Sequence, residues 1–264
     1  MRSNELAPSR PDLISKAAQV TLAFWVIKIC ATTVGETGGD ALSMSLKLGY
    51  AVSTLIFLGF FCLTLTAQFL ARRFHPFFFW AVVVATTTVG TTTSDYLDRT
   101  LGLGYVKSSI MLFCAVVAIL LVWRRTTGSI AVDHITDRKN EMFYWVTILV
   151  SNTLGTALGD FVATTTGLGF EGGALVFAGL LAVVAAAYYL TKIPGSVLFW
   201  AAYVLTRPLG ATLGDTLTKP QGQGGLDLGR FSSTLTIASV MIAGIVLTTY
   251  FPRRRPEAAS AAQG

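Results

Sequence analysis

WVIKICATTVGETGGD, residues 25–40, carries a skeleton that returns three more times along the chain. Trp80 is followed by Gly90 and Asp95, Trp145 by Gly155 and Asp160, and Trp200 by Gly210 and Asp215. Every copy therefore reads Trp, nine residues, Gly, four residues, Asp. Nine positions after each Asp stands another Gly: Gly49, Gly104, Gly169 and Gly224. Successive Trp residues lie 55, 65 and 55 positions apart. The repeat is thus a whole supersecondary unit, with a longer connection in the middle.

The 264 residues are 53% hydrophobic and only 13% charged, with a mean hydropathy of +0.62. A soluble domain usually carries about 25% charged residues, so this composition is that of a membrane protein. Apolar runs at 17–38, 50–71, 77–94, 105–123, 142–159, 173–191, 196–214 and 231–251 are each near the roughly 20 residues a helix needs to cross a bilayer. The expected fold is all-α, with eight transmembrane helices forming four parallel two-helix repeats about a pseudo-symmetry axis along the membrane normal. The repeats are expected at 17–73, 74–125, 142–192 and 193–252. Tails at 1–16 and 253–264 and a solvated linker at 126–141 complete the chain.

The net charge of +6 does not point to nucleic acid, because the basic residues cluster at the ends of apolar runs. Arg72-Arg73, Arg124-Arg125, Lys192 and Arg253 to Arg255 each close the second helix of a pair. Thirteen Lys and Arg fall on that side, five on the side of the Asp residues and two, Lys28 and Arg207, inside spans. The positive-inside rule then places both termini and the linker, with His134, in the cytoplasm. Cys30, Cys62 and Cys114 share no metal-ligand spacing.

Positions 0, 3, 7, 10 and 14 from each Trp share one helical face. Position 10 is Gly in every copy, and position 14 is Gly or Ser, a pattern that lets membrane helices approach closely. Position 7 is polar throughout: Thr32, Thr87, Asn152 and Arg207. Charges at membrane depth cost a few kcal/mol at least, so Lys28 and Arg207 are expected to face inward and to take carboxylate partners. Glu36, Asp40, Asp95, Asp160 and Asp215 supply those partners and form a candidate cation and proton site, with the same five carboxylates as candidate metal ligands, together with Thr32, Thr87 and Asn152. The aspartates also admit a purely local reading, as caps of the following helix. The tryptophans read as packing or interface anchors. No Walker loop, nucleophile elbow, dinucleotide fingerprint or H-E-x-x-H occurs, so an enzyme is not expected.

In TTVGETGGD, TTTVGTTTSDYLDRTLGLGY, NTLGTALGDFVATTTGLGF and RPLGATLGD the chain resembles a family of bacterial membrane proteins. Its members consist of four tandem two-helix repeats of unknown function, each with a characteristic Trp. The resemblance covers about residues 17–250 and implies eight helices in an inner membrane. The Glu36 to Asp40 segment is also similar to the duplicated Glu-x-Gly-Asp signature of cation and manganese exporters, from which the other copies depart with Thr91, Thr156 and Ala211. The expected function is a transporter or exporter of a small cation by proton-coupled exchange, with membrane lipid, cation and protons as partners. No resident cofactor is expected, although a divalent cation suits oxygen ligands as a substrate. The alternative is an accessory protein whose repeats only build a packed bundle.

Overall fold

The computed structural model describes residues 18, 20–71, 74–132, 135 and 137–250. The expected tails, Arg72-Arg73, His134 and Arg253 to Arg255 lie outside the described residues. Among the described residues eight long helices follow one another: α1 (Leu22–Asp40), α2 (Gly49–Leu70), α3 (Pro76–Asp95), α4 (Tyr105–Thr127), α5 (Arg138–Asp160), α6 (Gly169–Leu190), α7 (Gly195–Thr218) and α8 (Arg230–Tyr250). Six are long and apolar enough to cross a membrane, and α1 and α7 are the exceptions. The protein is a multi-pass helical membrane protein.

The odd-numbered helices form a closed inner ring in which α1 packs on α3, α3 on α5, α5 on α7 and α7 back on α1. Each even-numbered helix lies outside and covers the first helix of the next repeat: α2 on α3, α4 on α5, α6 on α7, and α8 on α1. Every repeat therefore completes its neighbour. Within the membrane-crossing windows 72% of α3 and 67% of α5 is buried, against 11% of α2, 28% of α4, 17% of α6 and 17% of α8. Polar side chains turned to the axis and apolar ones turned to lipid explain why α1 and α7, which carry Lys28, Glu36 and Arg207 internally, fall short on hydropathy.

The sequence face acts as a four-way seam. A Cβ built on Gly35 would run into Thr87, one on Gly90 into Asn152, one on Gly155 into Arg207 and one on Gly210 into Thr32. Position 10 of each copy is therefore the seat of position 7 in the next, and α7 closes the circle onto α1. The recurring Gly49, Gly104, Gly169 and Gly224 have φ values of 76°, 73°, 69° and 82°. That left-handed backbone favours glycine and accounts for its return in every copy.

At one end of the axis Trp80, Trp145 and Trp200 are buried in an aromatic cluster with Phe24, Phe79, Tyr144 and Phe199, whereas Trp25 is only half-buried. The fifth tryptophan, Trp123, meets Trp200 edge-on. The linker differs from the solvated connection expected at 126–141: α4 and α5 extend into it, and Val132 and Ile135 are buried in the same core. Asp137 caps α5 by accepting from the Asn140 N–H at 2.7 Å, which holds its carboxyl below the usual range.

Candidate functional site

The inward faces bring charge together in two layers. In the first, Arg207 is fully buried and its guanidinium crosses the axis. Nη2 donates to Glu36 Oε2 at 3.0 Å, to Thr156 Oγ1 at 2.7 Å and to Thr91 Oγ1, and Nη1 donates to the Thr32 carbonyl at 3.3 Å. Glu36, Thr91 and Thr156 stand at position 11 of their copies, where the fourth copy carries Ala211, so the position at which the copies differ supplies three of the groups around the guanidinium. Thr91 also donates to Glu36 Oε2 at 3.2 Å.

The second layer contains the four repeat aspartates, all buried. Asp95 and Asp160 are joined by Arg99, at 3.0 Å and 3.2 Å. Asp215 and Asp40 are joined by Lys219, at 3.0 Å and 2.8 Å. Arg230 stands 3.6 Å from Asp40. Both bridging bases lie four residues after the Asp of an even-numbered copy and reach to the Asp of the following copy. Copies one and three carry Met44 and Thr164 at that position, so a four-fold backbone holds a two-fold charge pattern.

Glu36, Asp40 and Asp215 converge most closely, each offering an oxygen within 4.8 Å of the others. Asp95 and Asp160 are tied to Arg99 instead. Asp40 Oδ1 is buried and accepts no hydrogen bond from the described residues. None of Asp40, Asp95 and Asp160 caps a following helix: each is succeeded by a five-residue π-turn (Ala41–Ser45, Tyr96–Thr100 and Phe161–Thr165) with no side-chain cap bond. The local capping reading of the aspartates is thereby replaced by the ion pairs.

Position 7 lies four residues, about one turn, before Glu36 and eight residues, about two turns, before each repeat Asp. Thr32 donates to the Thr206 carbonyl at 3.3 Å, Thr87 to the Ala31 carbonyl at 3.2 Å, and Asn152 Nδ2 to Thr86 Oγ1 at 3.0 Å. These three side chains link adjacent inner helices rather than join the carboxylate group. Lys28 also departs from expectation. Among the described residues its buried Nζ has no carboxylate partner, and it lies 4.2 Å above the centre of the Tyr203 ring, a cation–π contact.

Sequence reasoning missed Arg99 and Lys219. The signal was available in the i, i+4 spacing from Asp95 and Asp215, which places acid and base on one helical face. It was obscured because the aspartates look like helix ends, whereas the chain continues helically past each of them.

Residues 23–74, 78–129, 143–193 and 198–255 each match the Repeat of Unknown Function (DUF347). No curated protein and no solved structure matches the chain. The four matches fall in tandem over the same helix pairs that build the ring, and the chain therefore belongs to the DUF347 repeat family.

Proposed function

We propose that the protein is a bacterial inner-membrane carrier that exchanges a small cation for protons at Glu36, Asp40 and Asp215, with both termini in the cytoplasm. One observation carries this reading: the Lys219 ammonium already sits between Asp40 and Asp215, at 2.8 Å and 3.0 Å. The carboxylates thus hold a positive charge supplied by a tethered side chain, and a free cation with a preference for oxygen ligands competes for the same seat. Magnesium, manganese and calcium suit such ligands better than soft metals do. Five carboxylates share four contacting bases, Arg207, Arg99, Lys219 and Arg230, of which Arg99 and Lys219 each bridge two acids. A carboxylate oxygen takes either a proton or a hard cation, so proton and cation share one set of oxygens.

A second reading, an accessory protein without transport, is favoured by the closed glycine seam and by the ion pairing of every carboxylate in the belt. Flux measurements separate the two. In proteoliposomes with an imposed pH gradient, at least one of Mg²⁺, Mn²⁺, Ca²⁺, Na⁺ and K⁺ is expected to move in exchange for protons. Glu36→Gln and Asp40→Asn are expected to abolish that flux. Absence of flux for all five cations, or flux unchanged in both variants, leaves the accessory reading standing.

A further inference from the structure

A groove of about 330 Å³ runs along the lipid-facing seam between α4 and α5. Ala118, Ile119 and Val122 form one wall, Met142, Phe143 and Val146 the other, and Lys139 closes one end. The α5 wall is held in place from behind: Phe143 stacks on Trp123 with ring planes 6° apart, and Trp123 Nε1 donates to Asn140 Oδ1 at 2.7 Å. Around the closed end stand four exposed bases, Arg124 and Arg125 in the last turn of α4 and Arg138 and Lys139 in the first turn of α5. Asp137 is the exposed acid beside them among the described residues.

We propose that this groove binds one anionic phospholipid, with an acyl chain between α4 and α5 and the headgroup phosphate on Lys139, Arg125 and Arg138. The chemistry at the two ends of the groove differs in the sense such a lipid requires. Alternate turns of both helices present an apolar trough at acyl-chain depth, and the same two faces end in cations where the helices leave the membrane. Arg125 continues the α4 face of Ala118 and Val122 at helical spacing, as Lys139 begins the α5 face of Met142 and Val146. A second copy of the chain fits less well. Two-fold packing here would set the same four cations against one another.

The test is lipid retention by the detergent-purified full chain, read by native mass spectrometry after exposure to phosphatidylglycerol and phosphatidylcholine with identical acyl chains. Preferential retention of one phosphatidylglycerol is expected. Removing Arg125, Arg138 and Lys139 as Gln variants should weaken that preference roughly fivefold per charge and about a hundredfold together, at about 1 kcal/mol for each base near an anionic lipid. Ala118→Trp fills the trough with the charges in place and should also abolish retention. Equal retention of the two lipids, an unchanged preference in the triple Gln variant, or binding that survives Ala118→Trp overturns the assignment. Because none of these residues belongs to the carboxylate belt, the outcome is independent of cation flux.

Discussion

Replacing Arg207 by Ala is expected to be the most damaging single change in the chain, lowering stability by about 3–5 kcal/mol, the range for removing one partner of a buried ion pair. The guanidinium is fully buried and joins three inner helices besides its own, through Glu36 and Thr32 on α1, Thr91 on α3 and Thr156 on α5. Without it the Glu36 carboxylate keeps a single hydroxyl donor, Thr91, at a depth where an uncompensated charge is costly. Glu36→Gln in the same chain removes the orphaned charge and should restore part of the loss. Thermal unfolding and the yield of monodisperse protein measure both changes. If Glu36→Gln only adds to the damage of Arg207→Ala, the two residues do not act as a pair.

Gly90→Ala is expected to cost about 1–3 kcal/mol from overpacking. A Cβ there would sit 2.9 Å from the Asn152 carbonyl carbon and 3.0 Å from the Thr153 nitrogen. Those are backbone atoms of α5, so relief requires the helix itself to move. Gly179→Ala is the matched control, since Gly179 lies on the exposed face of α6 with nothing within 4 Å of the added carbon. Within a helix that change should be neutral or stabilising by up to about 1 kcal/mol. Equal unfolding temperatures for the two variants would show that the seam tolerates separation.

The ring was legible in the sequence because a fixed spacing repeated four times leaves few alternatives. Gly and a polar residue three positions earlier, in every copy, already imply close contact between like faces. What the spacing does not contain is the step from one copy to the next. Only the assembled ring shows that Gly35 receives Thr87 and that Gly210 receives Thr32. The outer helices were legible as apolar spans, but their crossing to the following repeat was not, since an evenly apolar surface gives no direction. The charged belt was half legible. The five carboxylates were recognised as a group, and Arg207 was expected to need one of them. The partition into Asp40 and Asp215 held by Lys219 and Asp95 and Asp160 held by Arg99 depends on two i, i+4 bases that occur in alternate copies only. Lys28 shows the limit of charge-matching arguments, because an aromatic face substituted for the expected acid.

The claim that a free cation can take the seat of the Lys219 ammonium is tested most directly by cation titration of Lys219→Gln, followed by thermal unfolding. Loss of the ammonium leaves Asp40 and Asp215 buried without it, so the variant should start less stable than the wild type. Of Mg²⁺, Mn²⁺, Ca²⁺, Na⁺ and K⁺, at least one should then restore stability saturably, by about 2.7 kcal/mol at a hundredfold excess over its Kd. The same cation should act more weakly on the wild type, where the ammonium competes, and should have no effect once Asp40→Asn is added to Lys219→Gln. An unfolding temperature of Lys219→Gln that stays the same with every one of these cations would contradict cation exchange at Glu36, Asp40 and Asp215.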